Sequence, residues 1–265
     1  MTDCQRWREQ RTSFAPDSPI CPSRFAVYPI PKGVAAAFVE RHHYSGSMPA
    51  ARLCVGLYEA GRAWMGLEEL VGVAVFSVPA QPRVIPCYAP GLDQSEGVEL
   101  GRFVLLDDVA ANGETWFLAR AFKALKAALP EVRCVVSYSD PVRRESADGR
   151  IILPGHVGVI YQAHNGRYFG RGSRRTLHLT PDGRALSPRS LSKIRGGERG
   201  AAGAVAQLVS AGCPPCEPGE SGAAYLERVL PLLRRLAHPG CHVYGWGLDR
   251  RVRLAPVLSY PVKGG

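Results

Sequence analysis

The stretch VRCVVSYSDP, residues 132–141, decides the fold. Its apolar run predicts a buried strand, and that strand ends in serine, aspartate and proline. Upstream, GVELGRFVLL (97–106) predicts another buried strand, and ETWFLARAFKALKAAL (114–129) predicts a helix with one apolar face, capped by Asn112. A strand, a helix and a strand in this order predict a right-handed crossover between two parallel strands. Ligands of such sheets bind beyond the carboxyl ends of the strands, where Asp140 lies.

The other elements and the domain division follow from periodicity and turn residues. Residues 1–24 predict an irregular arm, and 25–265 a single domain that includes a basic segment, 143–199, and a helical and hairpin extension, 200–265. The remaining predicted elements are a helix over 32–44, a strand over 70–78, a short helical segment over 155–163, a helix over 221–237 with a Ser221 cap and an internal proline, and a hairpin of 242–249 with 251–258.

Positive charge is concentrated in one segment of a chain whose net charge is +10. Residues 143–199 hold 11 Arg and 1 Lys against 4 acidic residues, whereas residues 1–142 hold 14 basic and 15 acidic residues. Arginine is the better fork for phosphate oxygens, so the segment predicts a nucleic-acid surface. The alternative is a solvated segment that only improves solubility. The candidate phosphate-binding residues are Arg171, Arg174, Arg175, Arg189, Lys193 and Arg195.

The cysteines and the hydropathy of the chain indicate its cellular compartment, and the cysteines also raise the question of a metal site. The eight cysteines are scattered, which is typical of a reducing compartment. Cys213, Cys216, His238 and Cys241 have ligand types that suit tetrahedral zinc, but the first two lie in a Pro/Gly-rich stretch with no hairpin signal, so we commit to no metal. The start of the chain has no apolar signal segment, and no apolar run approaches the ~20 residues that span a bilayer. We therefore expect a cytoplasmic protein without a membrane partner.

Five motifs, spread over residues 25–260, together resemble the Mom family of bacteriophage DNA-modification proteins. They are ERHHYSGS (40–47), ELGRFVLL (99–106), VVSYSDP (135–141), GHVGVIYQAHNGRYFGR (155–171) and HPGCHVYGW (238–246). The resemblance implies an α/β fold of the GNAT acyltransferase type: a mixed, mostly antiparallel sheet with a splayed parallel pair, flanked by helices, here with a C-terminal helical insertion. It also implies an enzyme that converts the 6-amino group of adenine in phage DNA to a carbamoylmethylated form, protecting the DNA from host restriction.

The resemblance and the chemistry of acyl transfer to an aromatic amine suggest the site residues. An adenine inside a duplex must be flipped out before it can react, so the expected partner is double-stranded DNA with a flipped adenine. We expect Asp140 to hold the amine, Tyr161 to protonate the leaving group, His43 to shuttle protons and Tyr44 to stack on the base. Each could instead be structural: Asp140 a turn residue, His43 and Tyr44 a helix end. The candidate substrate-binding residues are Glu99, Arg102, Ser137, Ser139 and His156, where Glu99 and Arg102 could equally form a structural salt bridge.

The expected acyl donor departs from that of ordinary acyltransferases. Their glycine-rich loop cradles the coenzyme A diphosphate at a helix N-terminus, whereas this chain has LDDVAANGE at 106–114. Asp107, Asp108 and Glu114 place negative charge there, so acetyl coenzyme A is the less expected donor. An activated glycyl donor such as glycyl-tRNA would supply every atom of the added group and would give the basic segment a second polyanion, tRNA, to bind.

Two other classes of function remain open from the sequence. One is an ordinary coenzyme A-dependent N-acetyltransferase of another substrate, which the acidic loop and the basic segment disfavour. The other is a non-catalytic phage DNA-binding protein, which would need the basic segment but would have no reason to place His, Tyr, Glu, Arg and Asp at strand ends.

Overall fold

The computed structural model describes residues 20–61, 67–109, 112–153, 155–180 and 182–261. The strands are β1 Phe25–Pro29, β2 Ala51–Glu59, β3 Glu69–Ser77, β4 Gly97–Leu105, β5 Cys134–Ser139, β6 Arg144–Glu145, β7 Ile151–Leu153, β8 Arg167–Arg171, β9 Arg175–Leu179, β10 Arg234–His238 and β11 His242–Gly247. The helices are α1 Lys32–His42, α2 Val84–Tyr88, α3 Gly113–Ala128, α4 Val159–Ala163, α5 Pro188–Gly196, α6 Ala201–Ser210 and α7 Gly222–Val229.

The chain forms two compact units that are interleaved in sequence. The first unit takes in the residues up to Pro141, His156–Gly172 and the residues from Cys241 onward. The second takes in Val142–Gly155 and Ser173–Gly240. The domain division predicted from the sequence stays a prediction, and most of its N-terminal arm lies outside the described residues.

The first unit is built on one seven-stranded sheet with the order β1-β2-β3-β4-β5-β11-β8. The β4–β5 pair is parallel, and the other five pairs are antiparallel. Helix α3 provides the crossover between the two parallel strands. The predicted fold class, a mostly antiparallel mixed sheet with one parallel pair and flanking helices, is therefore confirmed.

The two parallel strands separate soon after they meet. They pair over only three residues, Gly97–Glu99 against Cys134–Val136. One step further along, the Ser137 hydroxyl donates to the Leu100 carbonyl at 3.1 Å, so a side chain replaces the next backbone bond. Beyond that point β4 continues to Leu105 beside β3 alone. The splay leaves an opening in the middle of the sheet, between β4 and β5.

Helices cover both faces of the sheet. Helix α3 buries Phe117, Leu118, Ala121, Phe122 and Leu125 against one face, with the helical spacing that the sequence predicted. On the other face α2 packs Ile85 with residues of β5 and β11, and the same side chain approaches β4 at Gly97. A Cβ atom at Gly97 would lie 2.4 Å from Ile85 Cδ1, so only glycine allows this close approach.

The second unit has its own small core. Helices α5, α6 and α7 pack around Ile194, Leu208, Tyr225, Leu226 and Val229. Strands β9 and β10 pair antiparallel in this unit, as do the short strands β6 and β7. Helix α5 begins at a Ser187 cap whose hydroxyl accepts from the Ser190 amide, and it ends at Gly197 in the left-handed conformation.

Three predicted local features are wrong. Asn112 precedes α3 in the left-handed conformation, and its side chain makes no capping bond. The helix predicted over 221–237 does begin at the Ser221 cap, but it ends at Val229; a 3-10 turn containing Pro231 follows, then strand β10. Proline lacks the amide hydrogen that would continue the helix, so the apolar pattern was overridden.

The predicted C-terminal hairpin is also absent. Strand β11 pairs with β5 and β8 instead, and residues 251–258 form no strand. Sequence patterns report only on residues that are close in the chain, whereas both partners of β11 are more than 70 residues away.

None of the helices among the described residues has the length and apolar character of a membrane span.

Candidate functional site

Arg102 lies on β4, next to the opening between the parallel strands. Its Nε donates to the Ser47 carbonyl at 2.9 Å, and its Nη2 contacts the Ser47 hydroxyl at 3.1 Å. Burial lowers the pKa of this guanidinium, and the nearby Tyr44, Glu99 and Tyr161 oppose that shift. These two bonds to Ser47 hold the guanidinium beside the loop that follows α1. Arg102 is thus the cation around which several predicted site residues gather.

His43 directly follows α1 and is held as a neutral imidazole. Its Nδ1 accepts from the Ser45 amide at 3.1 Å, which leaves the ring hydrogen on Nε2. Burial lowers the pKa of His43 well below its usual value, and Arg102 and His156 lower it further. The ring of Tyr44 packs on it at 4.2 Å between centroids. A neutral ring of this kind can accept a proton but does not carry a charge at pH 7.

Tyr161 is on α4, facing the opening. A hydrogen bond links its hydroxyl to Ser137, and its ring packs on Tyr244 and Trp246 at 5.5 and 5.7 Å. Burial raises the pKa of the phenol, which outweighs the opposing effects of Ser137 and Arg102. Tyr161 therefore keeps its proton at neutral pH, as a group that protonates a leaving group must.

Asp140 lies directly after β5 and is joined to His156 through the backbone. The Asp140 carbonyl accepts from the His156 amide at 2.8 Å. Burial lowers the pKa of His156 to about 4, the Asp140 carboxylate opposes this shift, and His242 adds to it. Asp140 is half-buried, and its carboxylate lies within 4.8 Å of the Cys241 thiol.

The lowered pKa of His156 predicts an acid-sensitive fold. Between pH 6.5 and 4 the unfolded chain protonates this ring while the folded chain does not, so stability falls as the pH is lowered through that window. We expect the free energy of unfolding to fall by up to about 3 kcal/mol across it from this group alone. Urea unfolding at several pH values measures this dependence of stability on pH. His156→Gln should flatten the dependence, whereas the control His178→Gln, on β9, should leave it unchanged. Equal slopes for the wild type and both variants would contradict the assignment.

Glu99, Ser137 and Ser139 occupy different parts of the splayed strands. Glu99 accepts a hydrogen bond from the Ala80 backbone, and burial raises the pKa of its carboxyl although Arg102 opposes this. Ser137 and Ser139 lie on one face of β5 and are both fully buried. Ser137 bridges the strands, whereas the Ser139 hydroxyl has no hydrogen-bond partner in the described part of the chain.

His242 is a buried site residue that the sequence did not single out. It begins β11 directly opposite Ser139 and is only 1% exposed. Its Nδ1 lies 2.8 Å from the Tyr168 hydroxyl, and its Nε2 is buried without a partner among the described residues. The sequence signal for it was its spacing. His242 lies two positions before Tyr244 and four before Trp246, so the three side chains share one face of the strand.

The basic residues belong to both units. Arg171 ends β8 in the first unit, whereas the other five candidates, Arg174, Arg175, Arg189, Lys193 and Arg195, lie in the second. All are exposed except Lys193, which is half-buried. Arg189 pairs with Glu198 at 2.9 Å, which offsets part of its charge.

Three of the four candidate zinc ligands, Cys213, Cys216 and His238, do not form a metal cluster in the described part of the chain. In the described residues Cys213, Cys216 and His238, all of the second unit, do not bring their ligand atoms within 4.8 Å of one another. The Cys213 side chain is part of the small apolar core, and the Cys216 thiol lies 3.7 Å from the Glu220 carbonyl. Matching ligand types at matching spacing are not enough when the chain between them folds into helices.

An open cavity of about 470 Å³ lies between β1 and α3, away from these side chains. It is lined by Phe25, Trp116, Arg120 and Lys123, among others, and Arg120 stacks on the Trp116 ring at 3.5 Å. None of its lining residues is a predicted site residue. The candidate site is therefore the opening between β4 and β5, where Arg102, Tyr161 and Ser137 meet.

A mostly antiparallel sheet with one splayed parallel pair and flanking helices is the fold class that the resemblance implied. Residues 24–210 match the Mom protein family, and the chain belongs to that family. A curated relative is the methylcarbamoylase Mom of Escherichia phage Mu, which is 28% identical over 169 residues. The match covers 63% of this chain and 62% of the phage Mu protein, so it spans less than two thirds of that relative.

Solved structures with some similarity are GNAT proteins. One is a GNAT family N-acetyltransferase from Escherichia coli in complex with CoA, 15% identical, with a TM-score of 0.31 over 48% of this chain and 68% of that one. Another is a tandem GNAT protein from the clavulanic acid biosynthesis pathway, 10% identical, with a TM-score of 0.32 over 58% of this chain and 48% of that one. The observed strand order, and not these scores, carries the fold assignment.

Proposed function

We propose that this protein is a DNA-modifying enzyme that transfers an acyl group to the 6-amino group of adenine, giving carbamoylmethyladenine that resists host restriction. The observation that carries the proposal is the half-buried, neutral Tyr161 at the strand split, with Asp140 directly after strand β5. Acyl transfer needs a proton source for the leaving group and an acceptor for the amine hydrogen, and these two residues supply them. Membership of the Mom family and the name of the phage Mu relative support the same chemistry.

Four site residues besides Tyr161 have roles in this proposal. Asp140 accepts a hydrogen bond from the adenine amine and takes a proton as the nitrogen attacks. The neutral His43 ring can relay that proton without holding a charge, taking it up at Nδ1 as the hydrogen on Nε2 leaves, because burial disfavours the charged ring. Tyr44 stacks on the flipped base. Arg102, fixed by Ser47, stabilises the negative charge that develops on the donor carbonyl.

The donor we propose is an activated glycyl ester such as glycyl-tRNA. The adenine nitrogen attacks the glycyl carbonyl carbon, a C–N bond forms, and the ester C–O bond breaks as Tyr161 protonates the leaving oxygen. The free glycyl amine then attacks the purine ring carbon and displaces the amide nitrogen. The product is a carbamoylmethyl group on the amine, and no oxidant is needed. Acetyl coenzyme A would need an added nitrogen and an oxidation.

The acidic loop supports this choice of donor. Helix α3 begins at Gly113, with Glu114 in its first turn and Asp107 and Asp108 shortly before it. The positive end of a helix dipole attracts phosphate, and three carboxylates near that end oppose it. An ester on the terminal ribose of an RNA presents no diphosphate to this loop.

The proposal also gives the exposed arginines of the second unit a partner, double-stranded DNA. We expect the triple variant Arg174→Ala, Lys193→Ala, Arg195→Ala to bind duplex DNA more weakly and with a lower salt dependence. Each lost phosphate contact should remove about one unit of the slope of log K against log salt. Fluorescence anisotropy of a labelled duplex at several salt concentrations measures that slope.

The matched control is Arg250→Ala, Arg251→Ala, Arg253→Ala, which removes the same charge from the first unit. The control should weaken binding less and leave the slope nearly as it was. If the two triple variants lose the same slope, the second unit has no special part in binding and its charge serves solubility.

The function itself is tested by nucleoside mass spectrometry of plasmid DNA from cells that express the protein. A mass gain on deoxyadenosine supports the proposal. A coenzyme A-dependent acetyltransferase of another substrate and a non-catalytic DNA-binding protein would both leave deoxyadenosine unmodified, so absence of the modified nucleoside from cells that contain the folded protein would reject the proposal.

A further inference from the structure

Two buried polar atoms lie across from each other at one end of the β5–β11 ladder. Ser139 and His242 are directly opposite residues, so their side chains leave the same face of the sheet. Ser139 is 0% exposed and His242 is 1% exposed. Neither Ser139 Oγ nor His242 Nε2 has a hydrogen-bond partner among the described residues. Buried polar atoms are nearly always paired, so this pair indicates a site for an atom that comes from a ligand.

The hydrogen bonds around His242 set what that ligand atom must be. Its Nδ1 is bonded to the Tyr168 hydroxyl at 2.8 Å, and Arg171 donates to the same phenol oxygen. An oxygen that accepts from a guanidinium favours donating its own hydrogen to the imidazole. Burial and Arg171 lower the pKa of His242, so the ring is neutral and its one hydrogen lies on Nε2. Nε2 is therefore a donor, and its partner must be an acceptor.

The pair lies next to the predicted acceptor-amine position. Asp140 follows Ser139 in the chain, and the pKa of His156 responds to both Asp140 and His242, so the three groups are neighbours. Gly158 closes the other side: a Cβ atom there would lie 3.0 Å from both Ser139 Oγ and a ring carbon of Tyr161. The Ser139 hydroxyl is thus next to Asp140 in the chain and shares the neighbour Gly158 with Tyr161, the proposed acid.

An acceptor beside a donor matches the amine edge of adenine. That edge presents an amine hydrogen flanked by ring nitrogens that can only accept, whereas guanine presents an oxygen acceptor at the same position. We propose that His242 Nε2–H, assisted by Ser139, binds a ring nitrogen of the flipped adenine while Asp140 binds its amine. His242 is then the residue that sets base specificity. This inference rests on the proposed function, because it concerns the acceptor of that reaction.

The test is a binding measurement that needs neither the acyl donor nor a preferred DNA context. Single-stranded oligonucleotides of deoxyadenosine, 7-deazadeoxyadenosine and 1-deazadeoxyadenosine carry the same charge, and each deaza analogue replaces one ring nitrogen by a C–H group. The wild-type protein should bind one of the two analogues about three- to tenfold more weakly than the adenine strand, the loss of one hydrogen bond. Equal binding of all three strands would overturn the proposal.

Variants separate recognition from folding. His242→Phe should bind all three strands equally, at the level of the weaker analogue, and His242→Gln, which keeps an amide donor near the Nε2 position, should recover most of the discrimination. The control is His164→Phe, which replaces a half-buried imidazole that packs on Phe122 and Trp246 and should discriminate like the wild type. Retained discrimination in His242→Phe would overturn the assignment. If cells contain modified adenine but the wild-type protein binds the three strands equally, this inference alone is rejected. If the wild-type protein discriminates between the strands but cells contain no modified adenine, the proposed chemistry alone is rejected.

Discussion

Asp140→Ala is expected to abolish modified adenine while leaving the protein folded. The residue follows a buried strand and is itself half-buried, so its loss should cost about 1 kcal/mol or less of stability. The reason for the loss of activity is that the amine would have no acceptor for its hydrogen bond or its proton. Nucleoside mass spectrometry measures the product, and circular dichroism confirms the fold.

Asp140→Asn separates positioning from proton transfer. The amide oxygen can still accept from the adenine amine, but the group can no longer take up a proton. If Asp140 is a base, activity should fall by ~10²–10⁴. If it only positions the amine, a substantial fraction should remain. The control is Asp249→Asn, which changes a half-buried turn carboxylate after β11 and should modify DNA normally. Full modification by folded Asp140→Ala would show that the turn merely ends the strand.

Tyr161→Phe is the second change with a large expected effect. It keeps the ring that packs on Tyr244 and Trp246 and removes only the hydroxyl that bonds Ser137. Without a proton for the leaving group, the rate of modification should fall by ~10²–10³ with little change in DNA binding. Single-time-point and time-course mass spectrometry of DNA from expressing cells, together with the anisotropy assay, separates rate from binding.

The matched control for that change is Tyr58→Phe. Tyr58 lies on β2, where its ring stacks on Tyr28 at 4.7 Å, far along the sheet from the strand split. It should modify DNA at the wild-type rate. Normal modification by Tyr161→Phe would remove Tyr161 from the chemistry and leave the buried phenol as a packing group.

The centre of the fold could be predicted from the sequence because its signals are local and strong. The apolar face of α3 and the valine-rich runs of β3, β4 and β5 each act within a short window. Their order alone required a parallel crossover. Strand β2 was missed because ARLCVGLYE mixes charged and apolar residues without clear alternation, and it is stabilised by pairing with β1 and β3 on both sides. The C-terminal strands were predicted wrongly because their partner strands are remote in the sequence.

The candidate site was predictable in its residue types and less so in its connections. A carboxylate after a core strand and a tyrosine on a short helix were visible in the sequence. The fixing of Arg102 by Ser47 and the neutral state of His43 depend on loop geometry that spacing does not encode. His242 was missed because a single buried histidine in an apolar strand gives no signal until β11 is placed beside β5.

The most direct test of the central claim follows the atoms of the added group. Cells that express the protein are grown with glycine labelled with heavy nitrogen, and the modified deoxyadenosine is fragmented in a mass spectrometer. A glycyl group transferred to the adenine amine, followed by rearrangement, places the heavy nitrogen on the ring-attached position and leaves the original adenine nitrogen in the terminal amide. We expect the modified deoxyadenosine to carry one heavy nitrogen more than unmodified deoxyadenosine from the same cells, and we expect this extra label to stay with the base when the terminal amide is lost. Asp140→Asn should lower the amount of this nucleoside without moving the label. Two results would contradict the proposal. One is that cells expressing the wild-type protein contain no modified deoxyadenosine, and the other is a modified nucleoside whose extra label leaves with the amide.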